Sequence, residues 1–246
     1  MALWSEAWRD LQEHPRVVYA FLGAVLVVNA PVILLDDYLA PYLSGEEPVA
    51  WLPGYRLAHD LILAAAIAAL QAVFYSALGR EIDRPLWRCP ALLDGFKRFF
   101  VPWLLYQLAW IALLRMQIAA GRAGENDAAI FADFILMAVE ALVPMTIIGA
   151  MHHGRFEWHE LGQAFRPFMR YPLLALQAAA IYFLAHFLIQ IFYISLSGQE
   201  DTHPAFIIAF NIPLALLDLF AFAAVWRICM HTRDNQDADG EDDFDF

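Results

Sequence analysis

The sequence predicts an all-α integral membrane protein with six transmembrane helices, built as three repeated units of an amphipathic interfacial helix followed by a helical hairpin. Three observations carry this expectation. Of the 246 residues, 61% are hydrophobic and 17% charged, whereas a soluble domain is about half apolar and a quarter charged. Six apolar runs each approach or exceed the roughly 20 residues needed to cross about 30 Å of hydrocarbon. Stretches rich in aromatic and basic residues recur ahead of the first, third and fifth runs.

The runs cover 17–35, 57–79, 99–119, 128–151, 171–196 and 204–228. Before the first lie Glu6, Asp10 and Glu13, and after it come Asp36 and Asp37 in place of a small-residue cleavage site. It therefore reads as an uncleaved span and not as a signal peptide. Basic residues set the orientation, because Lys and Arg stay on the cytoplasmic side. Arg9 and Arg16 precede the first span; Arg80, Arg84, Arg88, Lys97 and Arg98 lie between the second and third; Arg155, Arg166 and Arg170 lie between the fourth and fifth; Arg227 and Arg233 end the series. These are 12 of the 15 basic residues, so both termini are expected in the cytoplasm.

The net charge of −12 does not point to nucleic acid, since the carboxylates gather in outer loops and in the tail "DNQDADGEDDFDF". That tail, 234–246, has the composition of a disordered segment. Within it Phe244 and Phe246 are candidates for docking into a basic, apolar groove, against the simpler reading of a solvated end. Cys89 and Cys229 fall on the expected cytoplasmic side and read as free thiols.

The repeat is visible in "WSEAWRDLQEHPRVVYAFLGAVL", "WRCPALLDGFKRFFVPWLLYQLAW" and "WHELGQAFRPFMRYPLLALQAAA". Each opens on Trp (Trp4, Trp87, Trp158), passes a proline (Pro15, Pro102, Pro172) and enters an odd-numbered span, giving units of about 1–80, 81–153 and 154–233. Trp4, Trp8, Trp87, Phe96, Lys97, Arg98, Trp158, Phe165, Arg166 and Arg170 are the candidate contacts to lipid or partner. Aromatic faces edged by basic residues suit helices in the headgroup layer, and anionic lipid favours them by about 1 kcal/mol per basic residue.

This arrangement resembles the bacterial three-hairpin membrane proteins that include the YciC-like family and the membrane domain attached to some glycerophosphodiester phosphodiesterases. The resemblance covers the chain to about Thr232 and rests on hydropathy and aromatic pattern. It implies the six-span fold and a bacterial inner-membrane location, and no catalytic residue.

Aligned by their expected cytoplasmic exits, the returning spans place Gln71, Glu140 and Asp218 in one register, about nine residues before each exit. At 1.5 Å per residue that is about 13 Å into the core, near its midplane. Asp133 and Asn211 lie seven residues before Glu140 and Asp218, and Gln107 and His186 fall near the same depth on neighbouring spans. A carboxylate facing lipid at the centre costs roughly 2.5–3.5 kcal/mol, so these side chains are expected to face the bundle. They serve either as interhelical hydrogen-bonding groups or as an ion, proton or substrate path. Arg115 and Asp133 are a candidate ion pair nearer the outer face.

No specific catalytic or metal motif emerges. In "MHHGRFEWHE" the pair His159-Glu160 is followed by Gln163 where a zincin requires its second His. Neither a cofactor nor a metal is expected. The leading functional expectation is a non-enzymatic membrane factor that binds anionic lipid or a partner protein, as a subunit or scaffold of an envelope complex, with a homo-oligomer as one form. The alternative is a small transporter or channel with a midplane polar, proton-coupled path; an intramembrane enzyme ranks below both.

Overall fold

The computed structural model describes residues 2–43, 51–83, 92–123, 126–154, 156, 159, 161–197 and 204–241. It is all-helical among them. The helices are α1 (Ala2–Glu13), α2 (Pro15–Leu43), α3 (Leu52–Ile82), α4 (Leu92–Ala123), α5 (Asn126–His152), α6 (Leu161–Arg170), α7 (Pro172–Ser197) and α8 (Pro204–Glu241). Six of them, α2 to α5, α7 and α8, are long and apolar enough to cross a membrane. The chain is thus built as a multi-pass membrane protein.

Prolines fix where the short helices stop. Pro15 and Pro172 each open a helix, a position where the missing N–H costs nothing because the first turn has no partner for it. They cut α1 from α2 and α6 from α7. Pro102 instead lies inside α4, so the described residues ahead of the third span run straight into it. The separate short helix expected there is absent among the described residues, and the three-unit repeat is not evident from the elements alone. At the far end α8 continues to Glu241, through the first part of the segment whose composition reads as disordered; Phe244 and Phe246 lie outside the described residues.

Helices α2, α3, α4 and α5 pack in sequence order, each against the next. Helix α8 returns between the two ends of this row and touches α2, α3 and α5, while α7 covers α8 from outside. Helices α1 and α6 both lie against α8, and α6 also against α5. Small residues on α3 (Ala64, Ala68 and Ala72, all fully buried) permit close approach, the usual device where hydrophobic force between spans is weak. The largest buried side chains, among them Trp103, Trp226, Phe99, Phe222 and Met151, concentrate toward the end that carries α1 and α6. Outward faces are apolar instead: Val27, Ile62, Met116, Leu173, Leu176 and Phe187 are more than half exposed, as a lipid-facing surface requires.

Three glycines sit where helices come close, Gly79, Gly95 and Gly149; a Cβ on Gly95 would run into the Ser76 hydroxyl of α3. A Cβ on Gly79 would stand 2.7 Å from the Trp226 ring, and one on Gly149 would run into the Ala164 carbonyl oxygen. For Gly79 the obstacle is the ring of a fully buried tryptophan; for Gly149 it is backbone. Gly149→Ala is therefore expected to push α6 off α5 and lower the melting temperature in detergent by several degrees, whereas Gly162→Ala, which meets open space, should leave it unchanged. Equal melting of the two variants would contradict the packing.

Candidate functional site

Half-way along the spans, five helices converge on one cavity. Its wall includes Gln71 and Tyr75 from α3, Trp103 and Tyr106 from α4, Glu140 and Pro144 from α5, Tyr182 from α7, and Asp218 and Phe222 from α8; Trp4 of α1 closes it from one end. The space open to the centres of water-sized molecules is about 70 Å³. At roughly 10–15 Å³ for each water, that is room for about five waters or a small solute. No lysine, arginine or histidine is among the described residues lining it.

Each acid is oriented by one donor from a neighbouring helix. The Trp110 indole N–H donates to Glu140 Oε1 at 2.6 Å, linking α4 to α5. The Tyr182 hydroxyl donates to Asp218 Oδ1 at 3.1 Å, linking α7 to α8. One donor leaves most of the acceptor capacity of a carboxylate unused. Pro144 has no N–H to offer the Glu140 carbonyl four residues back, so one bond of the α5 ladder is missing at this turn.

The third polar group of the register is satisfied internally. The Gln107 amide N–H donates to Gln71 Oε1 at 2.9 Å, and both side chains are buried. Replacing either one by leucine strands the other amide, at about 1–2 kcal/mol. The double replacement by leucine should regain most of that loss when melting is compared, and a double variant no better than the singles would remove the pair as a stabilising contact.

The remaining polar residues predicted for this depth sit apart from the cavity wall. Asn211 donates to its own helix at Ile207 O, 3.0 Å away, and His186 packs its ring against Tyr182 at 5.9 Å. Arg115 engages Asp60 of α3 through two nitrogens, at 3.0 and 2.8 Å. That pair belongs to a cluster at the end away from α1, where His59 stands 3.3 Å from both Asp36 and Asp60 and Tyr55 donates to Asp36 at 2.6 Å. The Asp133 side chain, the partner expected for Arg115 from sequence, lies outside those described.

Around α1 and α6 the aromatic residues point largely into the protein. Trp4 packs on Phe220 at 6.3 Å and reaches the cavity, and Trp8, half exposed, meets the same ring edge-on. Phe96 stacks on Phe100, and Phe165 meets Phe168. Lys97, Arg98, Arg166 and Arg170 are exposed, although Arg98 also donates to Gly154 O at 2.6 Å. Trp87 and Trp158 lie outside the described residues.

Two ion pairs at the same end had no motif to announce them. Arg227 of α8 holds Asp10 of α1 through both carboxylate oxygens, and Arg233 of α8 holds Asp83 at the end of α3 at 2.8 and 3.3 Å. His152 Nε2 lies 3.7 Å from Asp83, beyond hydrogen-bonding distance, with its ring against Trp226 at 5.1 Å.

Comparison with known proteins finds no matching family model, no similar curated protein and no similar solved structure.

Proposed function

We propose that the chain is a membrane transport or binding protein that takes up a small cation in the cavity half-way along its spans. The supporting observation is that Glu140 and Asp218, from α5 and α8, meet on one small cavity whose described lining carries no basic group. Ionisable groups inside a bilayer are costly and mark ion, proton or substrate paths when they face an internal cavity. In this reading both termini are cytoplasmic, from the distribution of basic residues. The resemblance to the YciC-like group supports placement in a bacterial inner membrane. The test is uptake into sealed vesicles containing the purified protein, under a gradient of Na⁺, K⁺ or a small ammonium salt with a pH-sensitive dye inside. Uptake of at least one cation above that of protein-free vesicles is expected; no uptake and no proton movement with any of them would overturn the transport reading.

A second reading, a lipid- or partner-binding subunit of an envelope complex, is favoured by one observation. Arg166, Met169 and Arg170 of α6 are all exposed, with Met169 at 71%, and Lys97 is exposed at the same end of the bundle. Basic residues near a membrane surface attract anionic headgroups by about 1 kcal/mol each. Alanine at Arg166 and Arg170 should then reduce the anionic lipid that copurifies in a gentle preparation, and unchanged lipid would count against it.

A further inference from the structure

We infer that the cavity opens sideways into the hydrocarbon layer through a slot between α5 and α7, and that its guest is a lipophilic amine drawn from the membrane; this rests on the cation-binding reading above and names the class of guest. Glu140, Ala141 and Pro144 of α5 and Ala178, Ile181 and Tyr182 of α7 all line the cavity. Yet α7 packs along α8 and touches α6, and no contact of any extent joins it to α5 among the described residues. Two helices that share a cavity without packing on each other leave a gap in its wall.

Ile181 marks that gap. It is 39% exposed, whereas every other described residue of the cavity wall is buried or half-buried. Its side chain therefore belongs both to the lining and to the outer surface. It lies nine residues into α7, about 13 Å at 1.5 Å per residue, a depth inside the roughly 30 Å of hydrocarbon. Leu142 of α5 and Leu184 of α7, also exposed, are apolar. Helix α6 packs on both α5 and α7 and so covers the slot at the end that carries α1. The opening meets acyl chains, not water.

The two ends of this path differ in chemistry, and the difference selects the guest. At the inner end stand Glu140 and Asp218, with no basic group among the described lining residues. At the outer end the side chains are apolar. An inorganic cation cannot enter by this route without leaving its water, which is costly in hydrocarbon. A lipophilic amine can: it crosses as the neutral base, its nitrogen takes the proton of a cavity carboxyl, and the ammonium ion is held by the carboxylate that remains. Its alkyl tail stays in the slot, where Ala141 and Ala178 keep the walls short.

The experiment is labelling of Glu140 and Asp218 by dicyclohexylcarbodiimide in the full chain held in lipid nanodiscs, followed by mass spectrometry. The protectants are N,N-dimethyldodecylamine, trimethylamine, Na⁺ and, as an uncharged control with the same tail, dodecanol. N,N-dimethyldodecylamine is expected to slow labelling at least fivefold at a concentration where dodecanol has no effect. Ile181→Trp, which enlarges a side chain at the mouth of the slot, should itself slow labelling at least fivefold, because the apolar reagent takes the same route. Leu184→Trp, exposed but outside the cavity wall, should label at the parent's rate. Ile181→Phe serves the same comparison if Ile181→Trp does not give a monodisperse protein. An unaltered rate in the folded Ile181 variants would overturn the slot, and protection by dodecanol equal to that by the amine would overturn the amine as guest. Protection by trimethylamine or Na⁺ alone would overturn the lipophilic guest yet leave the cation cavity standing. Protection by none of the three cations would overturn both.

Discussion

Glu140→Gln and Asp218→Asn are each expected to reduce cation uptake into vesicles at least tenfold while leaving the elution profile and melting temperature close to those of the parent. Both changes keep the side-chain shape and an oxygen able to accept the existing bond, from Trp110 at 2.6 Å or from Tyr182 at 3.1 Å. What they remove is the negative charge at the cavity. If the acids only joined helices, the amides would serve as well, and uptake would persist. Glu140→Gln with full uptake would therefore return Glu140 to a structural role. Trp110→Phe is a useful companion: it leaves the charge but frees the carboxylate to rotate, so a partial loss is expected.

Asp10→Leu should be the most destabilising change outside the cavity. Asp10 is 2% exposed, and beside it Ala7 and Leu11 bury the same face of α1. Its carboxylate holds Arg227 through both oxygens. Removing one member of a buried pair costs about 3–5 kcal/mol because a charge is left behind. Arg227 keeps 20% of its side chain exposed and has Glu6 at 3.9 Å, so a loss of about 2–3 kcal/mol is expected here after discounting for solvent. In a melt followed by tryptophan fluorescence the variant should fall well below the parent, with α1 becoming sensitive to protease. The double variant Asp10→Leu, Arg227→Met should recover most of the loss. Failure to recover would mean that the loss does not come from the Arg227 charge left without its partner.

The spans were legible in the sequence because length and hydropathy are summed over many residues, and burial in lipid leaves no other structure for such runs. Gln71, Glu140 and Asp218 are grouped in the sequence because three returning spans have comparable exits and a rise of 1.5 Å per residue converts position into depth; the fold brings the three to the wall of one cavity. The aromatic side of the cavity was not legible. Tyr75, Trp103, Tyr106 and Tyr182 are common membrane-helix residues, and nothing in their spacing separates an inward ring from one facing lipid. Two signals were nonetheless present. Tyr75 follows Gln71 by one turn, and Glu140 precedes Pro144 by four residues, the spacing that releases a carbonyl. The ion pairs of Asp10 with Arg227 and Asp83 with Arg233 join residues far apart in the chain, for which a single sequence carries no pairing information. In the sequence Arg227 and Arg233 carry only an orientation signal; their pairing with Asp10 and Asp83 is visible only in the fold.

The most direct test of a cation site formed by the two cavity acids is carbodiimide labelling of the purified protein, mapped by mass spectrometry. An apolar carbodiimide such as dicyclohexylcarbodiimide reaches carboxyl groups inside a bundle; the protonated carboxyl adds its O–H across one C=N bond, the O-acylisourea rearranges by O-to-N acyl transfer to a stable N-acylurea, and a bound cation shields the acid. The prediction is modification at Glu140 or Asp218, slowed at least several-fold by a saturating cation, with Glu13 and Glu81 at the bundle end unaffected by that cation. Labelling of Glu140 and Asp218 at the same rate with and without every cation tried would contradict the account.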